Sequence, residues 1–369
     1  MIELNWCLPV SGDGDQLGLP TWSRPPSLDY AVEVSNNAAA WGFRHLLVGM
    51  GFNNHVHEAW TLATAVLART TLPSMLVAVR PGFFSAPVMA KMVSTLDHLS
   101  QGRLALNVVT GGRRAEQAMY GDALDHDTRY RRTAEFIDVC RRLWASNVPF
   151  DYGGEFYKLR QTQLELLPLQ SGGPSIYFGG ASPAAEIVGA QHADVHLFWG
   201  ETLAQTKERV TKMKLLVAQA GRASRVRFGL RINIIARDTE AAARDAAKHL
   251  IAPVGQKRIH KALTRDLEAT ERDSVGQRRQ WDLLSASAER DWFVEPLLWS
   301  GVSLVRSGAG MALVGSYDQV ADRLSEYARM GIDVFILSGY PHLEEAENVG
   351  KNVVPRVLAN VAARTSRDA

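Results

Sequence analysis

Residues 94–130, STLDHLSQGRLALNVVTGGRRAEQAMYGDALDHDTRY, carry in one stretch a helix end, a buried strand, a glycine turn and a polar loop. Residues 96–99 close an apolar helical face, Gly102 stops it, and residues 104–109 form a nearly continuous apolar run. Such a run fits a parallel strand covered on both sides, because a half-solvated strand would alternate. Asn107 interrupts it with a buried amide. Thr110, Gly111 and Gly112 then turn the chain, and Asp127 or Thr128 is placed to cap a helix starting near Arg129. A polar side chain and a glycine turn at the carboxyl end of a parallel strand is where an α/β barrel builds its ligand site.

Outward from this unit the same cycle recurs. Strands are expected at 2–8, 43–49, 75–80, 104–109, 175–179, 194–199, 226–236 and 334–338, with helices between them and a last helix over 343–363. Eight strand–helix repeats predict a (β/α)8 TIM barrel spanning residues 1–369 as one domain, since no Gly/Ser/Pro-rich linker divides the chain. Two insertions break the rhythm. In 146–173 the run FDYGGEFYKL reads as a hairpin around Gly153 and Gly154, and 251–311 offers no clear strand but has the length of an active-site lid. The tail, 364–369, is expected to fray.

Composition bounds the function. With 369 residues and 46% hydrophobic content the chain can bury a large core. Its 41 basic and 39 acidic residues are mixed along the sequence, so neither a nucleic-acid stripe nor an acidic tail is present. Cys7 falls on the first expected strand and Cys140 on a helix, which argues against a disulfide framework and fits a cytoplasmic protein. The opening MIELNWCLPV lacks the basic and apolar regions of a leader, and no run is long enough for a membrane span.

The polar residues that invite chemistry cluster at strand ends: Ser11 and Asp13 after the first strand, Asn53 to His57 after the second, Arg80, then Asn107 with Thr110, Trp199, and Tyr340. Arg231 and Asn233 share parity on the seventh strand and can both face the barrel mouth. Arg80, Arg231 and Arg306 can together hold an anionic substrate, or each can pair with an internal carboxylate. Arg306, in LVRSGAG, would reach the site by closure of the insertion. In YFGGASPAAE, Ser182 is an N-cap and Pro183 a first helical residue, a helix start suited to a phosphate but equally an ordinary cap. The HVHE run at His55, His57 and Glu58 admits a metal-dependent barrel hydrolase as an alternative of another class.

Together LPVSGDGDQLG, VAVRPG, STLDHLSQGRLALNVVTGG, LDHDTRYRRTAEF, YFGGASPAAE, FWGE, FGLRINIIARDT, LVRSGAGMALVG and ILSGYPHLEEAE resemble the two-component, reduced-flavin-dependent alkanesulfonate monooxygenases of the bacterial luciferase-like family. The resemblance runs in order along almost the whole chain. It implies an enzyme, a homo-oligomer (dimer or tetramer), that receives FMNH2 from a separate NAD(P)H-dependent FMN reductase and uses O2 to cleave a carbon–sulfur bond, giving an aldehyde and sulfite. Carried over, Asn107 and Glu116 lie beside the flavin ring and chain, Arg129 and Tyr130 on its ribityl–phosphate side, and Ser182 at the phosphate, with Met50 and Gly51 also on the cofactor side. Arg231 and Arg306 match sulfonate-binding and lid arginines, Trp199 a pocket tryptophan, and Tyr340 the tyrosine near the reacting oxygen. Ser11, Val56 and Arg80 fall at substrate positions.

Three positions depart from that pattern: Ser11 and Asn233 stand where the alkanesulfonate enzymes have histidines, and Val56 where they have a cysteine. Asn cannot act as a base near neutral pH. The sequence therefore also admits a luciferase-like hydroxylation or Baeyer–Villiger oxidation of a sulfur-free substrate, or a diverged flavin-binding protein without catalysis.

Overall fold

The computed structural model describes residues 2–51, 56–111, 114–264 and 274–365. The chain opens with β1 (Glu3–Cys7), α1 (Leu28–Ala40), β2 (His45–Val48), α2 (Ala59–Arg69), β3 (Ser74–Val79), α3 (Ala86–Ser100) and β4 (Leu104–Val108). There follow α4 (Arg114–Ala118), α5 (His126–Ala145), β5 (Phe150–Gly153), β6 (Lys158–Thr162), β7 (Ile176–Gly179), α6 (Pro183–His192), β8 (Val195–Trp199), α7 (Leu203–Gln219), β9 (Arg227–Arg237) and α8 (Glu240–Ile251). The long insertion contributes α9 (Gln256–Thr264), α10 (Val275–Ser287), β10 (Phe293–Glu295), β11 (Leu298–Trp299) and a 3-10 turn at Gly301–Leu304. The chain then returns through β12 (Ala312–Ser316), α11 (Tyr317–Arg329), β13 (Val334–Ser338), α12 (His342–Asn352) and α13 (Val354–Thr365).

Parallel pairing runs β1-β2-β3-β4-β7-β8-β9-β13, and β13 pairs back onto β1, which closes an eight-stranded barrel. The pleat sends alternate residues inward. Cys7, Leu47, Leu76, Ala105, Tyr177 and Ile336 form one buried cluster inside the barrel, while Trp6, Leu46, Met75 and Leu106 join the layer beneath the helices. The amino-terminal mouth is plugged by Glu3, which accepts from Asn5 at 3.0 Å, from Arg227 at 2.9 Å and from the Tyr177 hydroxyl. Polar chemistry is thereby left to the opposite mouth.

Local signals set the helix ends. At the end of α3, Gln101 has φ 57° and Gly102 φ 78°, so the left-handed stop expected at Gly102 spans two residues. Ser182 caps α6 with Pro183 at its first turn, as its sequence requires. By contrast α5 starts at His126 with Asp125 as cap, earlier than the expected start near Arg129. The expected last helix is two, because Pro355 has no N–H to continue α12 and α13 restarts after Val353.

The insertion also departs from expectation. Its described residues form two helices and the short β10–β11 hairpin rather than strandless chain. β12 was not expected at all. β9 is 11 residues long; its first part pairs with β8 and β13, and its end, Asn233 to Arg237, pairs with β12 above the barrel rim. The insertion is thus stitched to the barrel by main-chain bonds. The 146–173 excursion does carry the expected hairpin, β5 against β6.

Candidate active site

The carboxyl ends of the strands surround a cavity of about 270 Å³. Met50, Asn107, Tyr130 and Ser182 line it, as do Arg80, Glu116, Trp199 and Arg231. Eight of the residues expected at the site are therefore brought to one wall or another of the same space.

On one side lies a cradle. Ser182 accepts from the Ala185 amide at 3.2 Å with its hydroxyl and from the Glu186 amide at 2.9 Å with its carbonyl, and Pro183 has no N–H, so the Ala184 amide is the one left free in the first turn of α6. A Cβ on Gly180 would sit 2.3 Å from Ala185 Cβ and 3.4 Å from the Tyr130 hydroxyl, so only glycine keeps this bay open. Burial foremost raises the Tyr130 pKa to about 12, against an opposing hydrogen bond with Ser182. The phenol stays protonated and can donate. An anion at a helix start, met by the Ala184 amide, the helix dipole and a neutral hydroxyl, is the ligand this bay suits.

Beside the cradle is a charge group the sequence did not disclose. Glu201, 2% exposed, receives a bidentate pair from Arg279 of α10 at 2.8 and 2.6 Å and a third bond from Arg209 of α7 at 3.3 Å. Arg209 also donates to the Gly180 carbonyl at 3.1 Å and stacks 4.8 Å from the Phe198 ring. Glu201 and Arg209 both line the cavity. A signal existed: Thr206, Arg209, Val210, Met213 and Val217 are the buried face of α7, so Arg209 sits on the apolar stripe where a cation requires a partner.

Arg80 takes the internal pairing. Its guanidinium lies 3.1 Å from Glu116, 3.4 Å from the Tyr120 hydroxyl and 3.1 Å from the Met50 carbonyl. Its charge is balanced within the protein, which removes the reason to assign it a substrate anion.

Arg231 differs: among the described residues its guanidinium has no hydrogen-bond or carboxylate partner, and it faces the cavity. Arg306 approaches from the insertion, donating to the Tyr340 hydroxyl with its guanidinium 5.7 Å from that ring. Burial first, and then the nearby Arg231 charge, hold the Arg306 pKa down at about 10. Arg306 stays charged near neutrality. Arg306 itself lines a second cavity, of about 540 Å³ beneath α9 and α10, while its neighbours Ser307 and Gly308 line the first. Tyr340 is backed by the His342 ring at 4.9 Å, and His342 is held by fully buried Asp13 at 2.9 Å.

Residues 3–334 match the family model described as luciferase-like monooxygenase. The chain belongs to the luciferase-like monooxygenase family. Solved structures of similar fold include the EDTA monooxygenase of Chelativorans sp. BNC1, with a TM-score of 0.77, 19% identity, and 97% of this chain covering 94% of that one. A riboflavin lyase solved with modified FMN and riboflavin gives 0.78 at 18% identity, with coverages of 96% and 91%. The oxygenating constituent of 3,6-diketocamphane monooxygenase from Pseudomonas putida, solved with FMN, gives 0.68 at 15% identity, with coverages of 96% and 99%. At these identities the likeness shows the fold.

Within this luciferase-like barrel several expected site residues stand away from the cavity wall. Asn233 is spent: its amide donates to the Ala309 and Met311 carbonyls at 3.1 and 3.0 Å and accepts from Ser338 at 2.7 Å. Arg129 is 1% exposed and donates to the Leu124 carbonyl at 2.6 Å. Val56 is 64% exposed, while Ser11 and Gly51 are half-buried off the lining. Asn53 and His55 lie outside the described residues, and among the described residues no group of three or more His, Cys, Asp or Glu side chains could hold a metal. Nor is any described helix long and apolar enough to cross a membrane. Cys7 and Cys140 are both buried and unpaired.

Proposed function

We propose that this chain is an FMNH2-dependent monooxygenase, supplied by a separate NAD(P)H-dependent FMN reductase, that oxidises a small anionic organosulfur compound with O2. An organosulfonate is the substrate class that fits first, its carbon–sulfur bond cleaved to an aldehyde and sulfite. The observation that carries the substrate class is Arg231 on the cavity wall, with no carboxylate in contact among the described residues, beside the charge of Arg306, whose neighbours Ser307 and Gly308 line the same cavity; two such cations repel until an anion lies between them.

Bound in the cavity, reduced flavin supplies the two electrons that activate dioxygen. Ser182, the Ala184 amide and the Tyr130 hydroxyl would hold its phosphate, and Asn107 and Glu116 would lie along the ring and chain, with Arg80 keeping Glu116 in place. Trp199, packed against Gly276 of α10, keeps water from the reacting centre. Arg231 and Arg306 orient the substrate anion and stabilise negative charge as it develops. The Tyr340 hydroxyl, held by Arg306, is the group positioned to hold or pass a proton. The 251–311 insertion acts as the lid that delivers Arg306.

A second reading is favoured by Asn233. With every amide atom committed, nothing basic stands at that position, which suits oxidation of a sulfur-free carboxylate in the same anion site. Purified protein, coupled to an NAD(P)H-dependent FMN reductase, is tested against alkanesulfonates, sulfones and chain-matched carboxylates, following sulfite release and product formation. Sulfite from the sulfonates supports the first reading, and oxidised carboxylate without sulfite supports the second. No oxidation of any anionic compound counts against both.

A further inference from the structure

Glu201 is one buried carboxylate shared by two guanidinium groups. Arg279 already satisfies both its oxygens, at 2.8 and 2.6 Å, with the fork geometry that balances a carboxylate on its own. Arg209 is then a surplus cation, 7% exposed, whose contact with Glu201 is the longest of the three at 3.3 Å. The other buried carboxylate nearby, Glu186, acts on Arg209 but pairs with Lys212 at 2.6 Å, so the three cations Arg209, Arg279 and Lys212 face two buried carboxylates. A buried cation without a full partner is costly, and it persists where a ligand supplies the missing charge.

The surplus charge points in a definite direction. Arg209 reaches the cavity wall, is tied by a 3.1 Å bond to the Gly180 carbonyl, and so stands beside the bay that Gly180 keeps open at the start of α6. Ser274 to Gln277, the first turn of α10, line the same cavity, so a second helix start adds its amides to the positive field.

We infer that Arg209 is the residue that selects a phosphorylated flavin, pairing with the phosphate dianion beside Ser182 while Arg279 keeps Glu201 neutralised. This rests on the flavin reading above and adds a selectivity residue to it. Riboflavin, which lacks the dianion, leaves Arg209 uncompensated and binds weakly.

The test is anaerobic binding of reduced FMN and reduced riboflavin to wild-type protein and to Arg209→Gln, with thermal unfolding of each unliganded protein. The expected result is that wild type prefers FMN and that Arg209→Gln weakens FMN binding by about 10- to 100-fold, with riboflavin affinity unchanged. The unliganded variant unfolds at the wild-type temperature or above it, because the Glu201–Arg279 pair is intact. Equal loss for both flavins with a lowered unfolding temperature would make Arg209 a structural partner of Glu201 and overturn the inference. So would a variant that keeps the wild-type preference. If Arg209→Gln does not fold, Arg209→Lys replaces it, and the expected result is a partial loss of FMN preference with riboflavin binding unchanged. A wild type that binds neither flavin overturns the flavin reading and this inference together, whereas a retained preference in the variant overturns the inference alone.

Discussion

Arg306 donates to the hydroxyl of Tyr340, joining the insertion to the residue that follows β13 across the mouth of the barrel. The contact places a guanidinium from a segment far along the chain close enough to Arg231 for the two charges to feel each other. The proposed anion site is therefore assembled from a strand and an insertion, and neither alone supplies it.

Arg231→Ala removes one half of that site and touches nothing in the phosphate cradle. Turnover of the anionic substrate is expected to fall at least about 100-fold in kcat/KM, the loss of a charge-assisted pair of roughly 3 kcal/mol. The affinity for reduced flavin stays at the wild-type value. Turnover at the wild-type rate would take Arg231 out of the mechanism.

Arg279→Ala cuts the bidentate tie between α10 and the barrel while Arg209 still faces Glu201. If the insertion is the lid, limited proteolysis within 251–311 should quicken several-fold, with no change in cleavage elsewhere. A wild-type digestion pattern would show that the insertion is held by β12 and the hairpin without this latch.

Asn233→Ala leaves the Ser338 hydroxyl and the Ala309 and Met311 carbonyls without a partner they now share. Unfolding free energy should drop by about 1–3 kcal/mol, seen by urea denaturation. Unchanged stability with lost turnover would instead give Asn233 the direct role that its place on the seventh strand suggested.

His196 sets a pH dependence of stability. It is fully buried, neither ring nitrogen makes a hydrogen bond of normal geometry, and burial first, then the Arg209 charge, lower its pKa to about 3 from an ordinary 6.5. Between those values the unfolded chain binds a proton that the folded one refuses, so stability rises with pH from 3 to 6.5 and levels off above. His196→Leu should flatten that limb, removing about 2–3 kcal/mol of the difference between pH 4.5 and 7.5. Urea denaturation at both pH values measures it; an equally steep limb in the variant would assign the slope to other groups.

The barrel was legible because parallel strands buried on both faces read as short apolar runs, and each run here ends in a polar residue or a glycine. β12 escaped for a physical reason: Ala312–Ser316 abuts the capping Ser316 of α11 with no turn between, so its apolar residues read as the approach to a helix. β10 and β11, of three and two residues, are too short for any periodicity. At the site, Asn107, Trp199 and Arg231 stood out because strand ends announce them. Glu201, Arg209 and Arg279 did not, since a loop, a mid-helix position and an insertion meet only through the fold. Parity misled at Asn233, which shares Arg231's face of the strand but lies at the rim, where the chain just before β12 and Ser338 of β13 absorb its amide. The charge of Arg80 pointed equally to a substrate and to some internal carboxylate, and only the geometry of α4, which brings Glu116 to it, decides between them.

An anaerobic titration of the purified protein with FMNH2, and in parallel with oxidised FMN, follows quenching of its nine tryptophans, among them Trp199 on the cavity wall. Saturable binding that clearly prefers the reduced form is the predicted result, since a monooxygenase fed by a separate reductase must capture FMNH2 and release FMN. Failure to bind either form, or tighter retention of the oxidised one, would contradict it.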